Sequence, residues 1–259
     1  MRRMPVVAGF NLTPVKSTAL QQPEEIDLCI EGAVGDRRFL FVRVDPDGPH
    51  RLSGVSKGSL MPIRSTYWPD REYLKLNAPG IVSGAEALGV GEPMAVRLFD
   101  REVLARWVHE AFEDFIPEVT GDETLFLLRV DEPEYAGGAH RASVVSRASV
   151  ADVGRRAGDE RLDPRRFRML IEVDDCEPYE EDSWQGRRVR FGEAILQIGH
   201  RMPRCVMTTL DPDTGEQNAP VLDALAQSRR VGEELLLGVY GDVEQPGVIR
   251  VGDPVEVLD

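Results

Sequence analysis

Cys205 lies in the stretch RMPRCVMTTLDPDTGEQNAP, with Arg204 before it, Thr208 and Thr209 after it, and then the turn-forming run Asp-Pro-Asp-Thr-Gly. The chain holds three cysteines, Cys29, Cys176 and Cys205, an odd set without CxxC spacing. A zinc ribbon and a disulfide framework therefore both fit poorly. A core cysteine would sit in a longer apolar run. The polar neighbours of Cys205 point instead to a thiolate in a loop, favoured by the adjoining guanidinium. A soft thiolate is a nucleophile, or a ligand for a soft or highly charged metal centre.

Basic residues that could grip an anion occur in three short motifs. Lys16-Ser17 ends an apolar stretch, Arg37-Arg38 follows Gly35-Asp36, and Arg165, Arg166 and Arg168 flank Phe167. Arginine can bind phosphate through two parallel N–H bonds, lysine as a point charge. Taken singly, each is equally a solvated surface charge; only convergence in space gives them a shared role. The histidines are His50, His109, His140 and His200, and no HExxH or HxH pair occurs. His200 lies near Cys205, which raises a Cys-His nucleophile pair, but no protease-like signature surrounds it. Walker spacing and a dinucleotide fingerprint are absent.

These residues need a scaffold, and 259 residues suffice for one large domain or two modest ones. The chain is 42% hydrophobic and 29% charged, with 45 acids against 31 bases. A net charge of -14 disfavours nonspecific binding to nucleic acid or anionic membrane, and a basic pocket would stand out against it. No apolar run has membrane-spanning length and no secretory signal is evident, so a cytoplasmic protein is expected.

Strands are predicted at VVAGFNLTP, FLFVRV, EYLKLNAP, PMAVRLFD, LFLLRV, FRMLIEVDD, RRVRFGEAILQIG, CVMTTLD, LLLGVYGDV and the final VIRVGDPVEVLD. From Arg101, Val103, Leu104, Trp107, Val108 and Ala111 fall on one helical stripe, with Asp100 as cap. A second helix follows Ser149 as cap candidate, and VLDALAQSRR is a third. Many short strands without βα alternation predict a β-rich α+β fold with a barrel. The composition of AEALGVGEP suggests a boundary near residue 90, giving domains 1–90 and 91–259.

The motif MPRCVMTTLDPDTG resembles the cysteine motif of MOSC domains, named for the C-terminal domain of molybdenum cofactor sulfurase. TPVKS and VGDRRFLFV resemble the opening of the associated N-terminal β-barrel domain. RRFRMLIEV, EEDSW and GRRVRFGEAILQI resemble the strands ahead of the cysteine, and LLGVYGDVEQPGVIRVGDPVEVL the C-terminal signature. Five motifs in order, from about Gly9 to Leu258, make the pattern similar to that of the amidoxime-reducing components and their bacterial counterparts.

The resemblance implies a MOSC β-barrel packed with an N-terminal β-barrel-like domain, and molybdenum cofactor between them. It implies Cys205 as molybdenum ligand and catalytic residue. It implies cofactor binding by Lys16, Ser17, Arg37, Arg168, Ser149, Arg204, Thr208 and Tyr240. The implied activity is reduction of N-hydroxylated small molecules, with electrons from a separate flavin, haem or iron-sulfur donor protein. The alternative is a cofactor or sulfur carrier using a Cys205 persulfide, without reductase activity; a third reading is a domain that has lost its pocket. Met202 stands where relatives often have cysteine, Thr13 where a tyrosine often precedes Pro-Val-Lys-Ser, and Leu170 where asparagine is usual. Leu170 raises the expectation of an altered pocket.

Overall fold

A computed structural model describes residues 4–45, 48–52, 58–86, 89–98, 101–108, 112–130 and 141–258. The chain opens with β1 (Val6–Phe10), β2 (Glu25–Cys29), β3 (Gly32–Ala33), β4 (Phe39–Asp45) and β5 (Gly48–Arg51). A meander of β6 (Arg64–Trp68), β7 (Tyr73–Ala78) and β8 (Ile81–Glu86) leads to β9 (Gly89–Leu98) and β10 (Arg101–Val108). Helix α1 (Phe115–Thr120) precedes β11 (Leu125–Val130). Next come β12 (Ala142–Ser146), α2 (Arg147–Ala157), β13 (Ile171–Asp174), β14 (Arg188–Phe191) and β15 (Ala194–Pro203). The chain closes with α3 (Val221–Ser228), β16 (Arg230–Val231), β17 (Glu234–Gln245), β18 (Gly247–Arg250) and β19 (Val255–Val257).

Two sheets dominate this β-rich α+β fold. Strands β10, β11, β4, β5 and β9 close into a barrel. The larger sheet runs β1-β13-β12-β17-β15-β14-β19, with β16 on β17. Its two ends approach each other: Val6 bridges Pro254, and the Val255 N–H donates to Pro5 O at 2.8 Å, so this sheet nearly closes too. Strand β12 is buried along its whole length and runs parallel to β13. That is why its sequence reads as apolar without alternation. The crossover between them carries α2, since parallel neighbours need a long connection.

Local chemistry explains the ends of α2. The Ser146 hydroxyl accepts the Ser149 N–H at 3.1 Å, so Ser146 and not Ser149 is the N-cap. Gly158, at φ 77°, supplies the left-handed C-terminal residue.

Three expectations fail. The stripe after Arg101 is strand β10: Val103 pairs with Val96, and Ala105 faces both Met94 on β9 and Val130 on β11. A strand bonded on both sides gains ladder hydrogen bonds that outweigh a coincidental helical spacing, and Val103, Trp107 and Val108 suit a pleated surface. Asp100, Ala111, His109 and His140 lie outside the described residues. CVMTTLD is not a strand; a 3-10 turn, Val206–Thr209, starts from Cys205. The expected boundary at residue 90 falls inside β9, a barrel strand, while β1 belongs to the large sheet.

Phe39 links the barrel to the segment before it. Its N–H donates to Pro14 O at 3.0 Å, its carbonyl accepts from Lys16 N at 2.8 Å, and its fully buried ring meets Tyr67 edge-on at 5.0 Å. Phe39→Ala should cost about 3–5 kcal/mol in urea unfolding; a loss below about 1 kcal/mol would show that this ring is not packed as described.

Candidate functional site

Three short backbone segments are tied together by hydrogen bonds, the third also reaching the Cys205 turn, and each carries a non-glycine residue in the left-handed region: Ser17 (φ 75°), Arg37 (φ 48°) and Arg168 (φ 52°). Such backbone costs of order 1–3 kcal/mol each and persists only where the surroundings enforce it. Here they do. Arg37 N–H donates to Thr13 O at 2.7 Å, and the Thr13 hydroxyl lies 2.8 Å from that of Thr18 and 3.1 Å from that of Ser65. Thr13 therefore knots the Lys16-Ser17 loop from within. Arg168 caps the 3-10 turn Pro164–Phe167.

Side chains from two of these segments converge. Asp36 is fully buried, pairs with Arg37, and accepts the Thr13 N–H at 2.8 Å. Desolvation raises the Asp36 pKa, opposed chiefly by Arg37. Arg37 Nη2 donates to the Arg168 carbonyl at 3.1 Å. Arg168 itself donates to Thr18 O at 2.6 Å and faces the Met61 sulfur at 3.5 Å. Desolvation, reinforced by the like charge of Arg37, lowers its pKa to about 9. Lys16 is fixed through its backbone N–H to Phe39 O.

Cys205 is exposed at the start of its turn. Its carbonyl accepts both the N–H of Thr208, at 3.1 Å, and the Thr208 hydroxyl, at 3.0 Å. Thr208 is thus a buried brace for the turn. Arg204 points back into the protein. It donates to Phe167 O, lies 5.6 Å over the Phe167 ring, and meets the sulfurs of Met202 at 2.9 Å and Met169 at 3.2 Å. Its buried Nε has no partner. Burial lowers the Arg204 pKa, while Cys205 and Tyr240 oppose that shift, so these three groups share one electrostatic neighbourhood. Tyr240, on β17, is buried, has its pKa raised by desolvation, and meets His200 edge-on at 5.0 Å.

Arg165 and Arg166, singled out in the sequence as possible anion grips, instead hold the cysteine turn. Arg166 is 7% exposed and donates to Thr209 O at 3.3 Å and to Asn218 Oδ1 at 2.7 Å. Arg165 binds Asp213 through two bonds of 2.9 and 2.7 Å. One short turn therefore aims Arg165 and Arg166 at the cysteine loop and Arg168 at the Ser17–Arg37 side. Backbone contact closes the same loop from the barrel side: a Cβ on Gly215, at φ 76°, would overlap the Gly58 carbonyl. Sequence reasoning missed Asp36; its place between Gly35 and two arginines was the available signal.

Two expectations change. Leu170 is fully buried in the large-sheet core with Phe10 and Ile171, so it leaves the arginine cluster untouched. Ser149 belongs to another group: its hydroxyl donates to Glu181 Oε2 at 2.9 Å and accepts from Tyr179 N at 2.6 Å. The remaining cysteines, Cys29 and Cys176, are half-buried, unpaired thiols, and burial pushes Cys176 up to about 11. Among the described residues no cluster of three or more His, Cys, Asp or Glu could hold a metal ion, and no helix is long and apolar enough to cross a membrane.

Burial, opposed by the Ser149 and Ser146 bonds, raises Glu181 to about 7. A raised carboxyl pKa gives stability that is present below the unfolded value near 4.5 and lost as pH rises through 7. Glu181→Gln should therefore gain on the parent by roughly 3 kcal/mol between pH 4.5 and 7.5. Parallel stability curves for the two proteins would refute the buried-acid assignment.

The family described as MOSC domain matches residues 132–256. Mitochondrial amidoxime reducing component 2 of Rattus norvegicus is 26% identical over 98% of this chain and 84% of its own length. Mitochondrial amidoxime-reducing component 1 of Homo sapiens is 35% identical over 44% of this chain and 36% of its own. Among solved structures, the YUAD protein from Bacillus subtilis aligns over 99% of this chain and 97% of its own, at 15% identity and a TM-score of 0.49.

Proposed function

Residues 132–256 of this chain are a MOSC domain, and from that premise we propose a molybdenum-cofactor-dependent oxidoreductase that reduces N-hydroxylated small molecules with electrons from a separate donor protein. One observation supports this reading most: Arg168 and Arg204 have no carboxylate partner among the described residues. Their acceptors are backbone carbonyls and thioethers, and thioether sulfur accepts hydrogen bonds weakly. Asp36 pairs with Arg37 and acts on Arg168 only through its field. Partly desolvated positive charge without a counter-charge is costly. An anionic, oxygen-rich ligand removes that cost, and a cofactor bearing a terminal phosphate is such a ligand.

The donor set fits the group. Arg37 and Arg168 would hold the phosphate, with Lys16 and Ser17 alongside. The unpartnered Arg204 Nε offers a further donor. Cys205, exposed at the head of a braced turn, would bind molybdenum through a thiolate that a soft or high-valent centre accepts. When bound, the cofactor supplies two-electron oxygen-atom transfer. The protein's own groups bind, orient and fix. The Thr208 hydroxyl and the Arg166 bonds keep the Cys205 turn from relaxing. Burial raises the Tyr240 pKa further above neutral, so its hydroxyl would be offered as a hydrogen-bond donor.

After expression in a host that makes molybdenum cofactor, the purified chain should carry molybdenum and reduce a model N-hydroxyamidine with an artificial electron donor. Cys205→Ala should fold normally and lose the metal. Arg168→Met should weaken cofactor retention by about ten- to hundredfold, the equivalent of one charge-assisted hydrogen bond. Full metal content in Cys205→Ala would sink the ligand assignment. Metal-free parent protein bearing a persulfide on Cys205 would favour a sulfur carrier.

A further inference from the structure

A second basic site opens on the other side of the loop that carries Arg37. The hairpin of β2 and β3, the loop after it, the turn after β6 and the end of β11 enclose a cleft of about 630 Å³. That volume lies within the range of small-ligand pockets, roughly 300–1,000 Å³. None of Cys205, Lys16, Ser17, Arg37 or Arg168 lines it.

Its lining is amphipathic. Arg38, Arg129 and Arg141 face into it, against Glu31 and Glu72. Three arginines against two glutamates leave one net positive charge, in a chain whose total is -14. Arg129 is held in a fork by Glu72, through bonds of 2.8 and 2.7 Å. Glu31 is acidified by its own backbone N–H and by Cys29, with a smaller contribution from Arg141. The Tyr67 hydroxyl lies in the field of Arg129 and Arg38, which oppose the rise that its burial causes. The opposite wall is apolar: Ile30 and Val34 are 51% and 47% exposed, beside Pro69.

Such large apolar side chains left half in water next to arginines form a surface that a ligand with one charged end and one greasy end would cover. Glu72, which fixes Arg129, is itself held as the left-handed cap of the 3-10 turn Pro69–Arg71, its N–H on Pro69 O at 3.3 Å.

We propose that this cleft is a binding site for a small organic anion, a carboxylate carrying an aromatic ring or a short alkyl chain. The carboxylate is received by Arg38 and Arg141, and the apolar body lies on Ile30, Val34 and Pro69. The site goes beyond the reductase reading and does not depend on it.

Calorimetric titration of the full chain with salicylate and with octanoate tests this. At least one should bind with sub-millimolar affinity, whereas benzyl alcohol and octanol should not. Arg38→Gln and Arg141→Gln should each weaken binding by about tenfold, as expected for loss of a charge-assisted contact. Val34→Asp, on an exposed side chain, should abolish it without loss of fold. Cys205→Ala should bind as the parent does, which separates this site from the molybdenum assignment. Failure of both anions to bind, equal binding by the arginine variants, or equal binding of the neutral alcohols would each overturn the proposal.

Discussion

Asp36 is a buried carboxylate set between Arg37 and Arg168, and much of the site follows from that one charge. A second buried acid there would have neutralised the pocket and made it inert. With one, the aspartate holds Arg37 in a fixed pose and leaves the local charge positive. The fold sustains this arrangement by enclosing it: Asp36 is fully buried, Arg37 nearly so, and both are tied to the backbone of Thr13 and Arg168. Preorganised charge of this kind is costly to maintain and valuable when an anion arrives, because little has to move.

The turn Pro164–Phe167 is the mechanical counterpart of that charge. This turn and the residue after it serve two sides of the site. Arg165 and Arg166 reach the loop after Cys205, the Phe167 carbonyl receives Arg204, and Arg168 reaches Thr18. A displacement of this one segment would move the thiol and the arginine cluster together. The Cys205 turn and the Arg37–Arg168 pair are thereby held in fixed relation by one short segment.

Much of this was legible in the residues. The cysteine turn, the Lys-Ser loop and the Arg37 and Arg168 motifs carry unusual side chains in short, polar, turn-rich contexts, and such contexts announce themselves locally. Strands with strict alternation, such as β7, also read directly. What stayed hidden depends on partners far away in the chain. Strand β10 carried a helical stripe that only its neighbours β9 and β11 could overrule. Leu170 looked like a damaged pocket because its side-chain direction is set by the start of β13, which turns it into the core. Arg166 looked like any surface charge until Asn218, fifty-two residues later, was seen to receive it.

Strand β1 carries a consequence for how the molecule is made. It is the first strand described and pairs along β13, more than 150 residues later, while also touching the segment before β19. Residues 132–256 by themselves would leave β13 with an open flank of unpaired amides and carbonyls, beside the Glu172 carboxylate that Asn11 and Arg147 now engage. Open flanks of that sort recruit other strands. During synthesis β1 therefore emerges about 160 residues ahead of β13 and must stay clear of other strands until that partner is made.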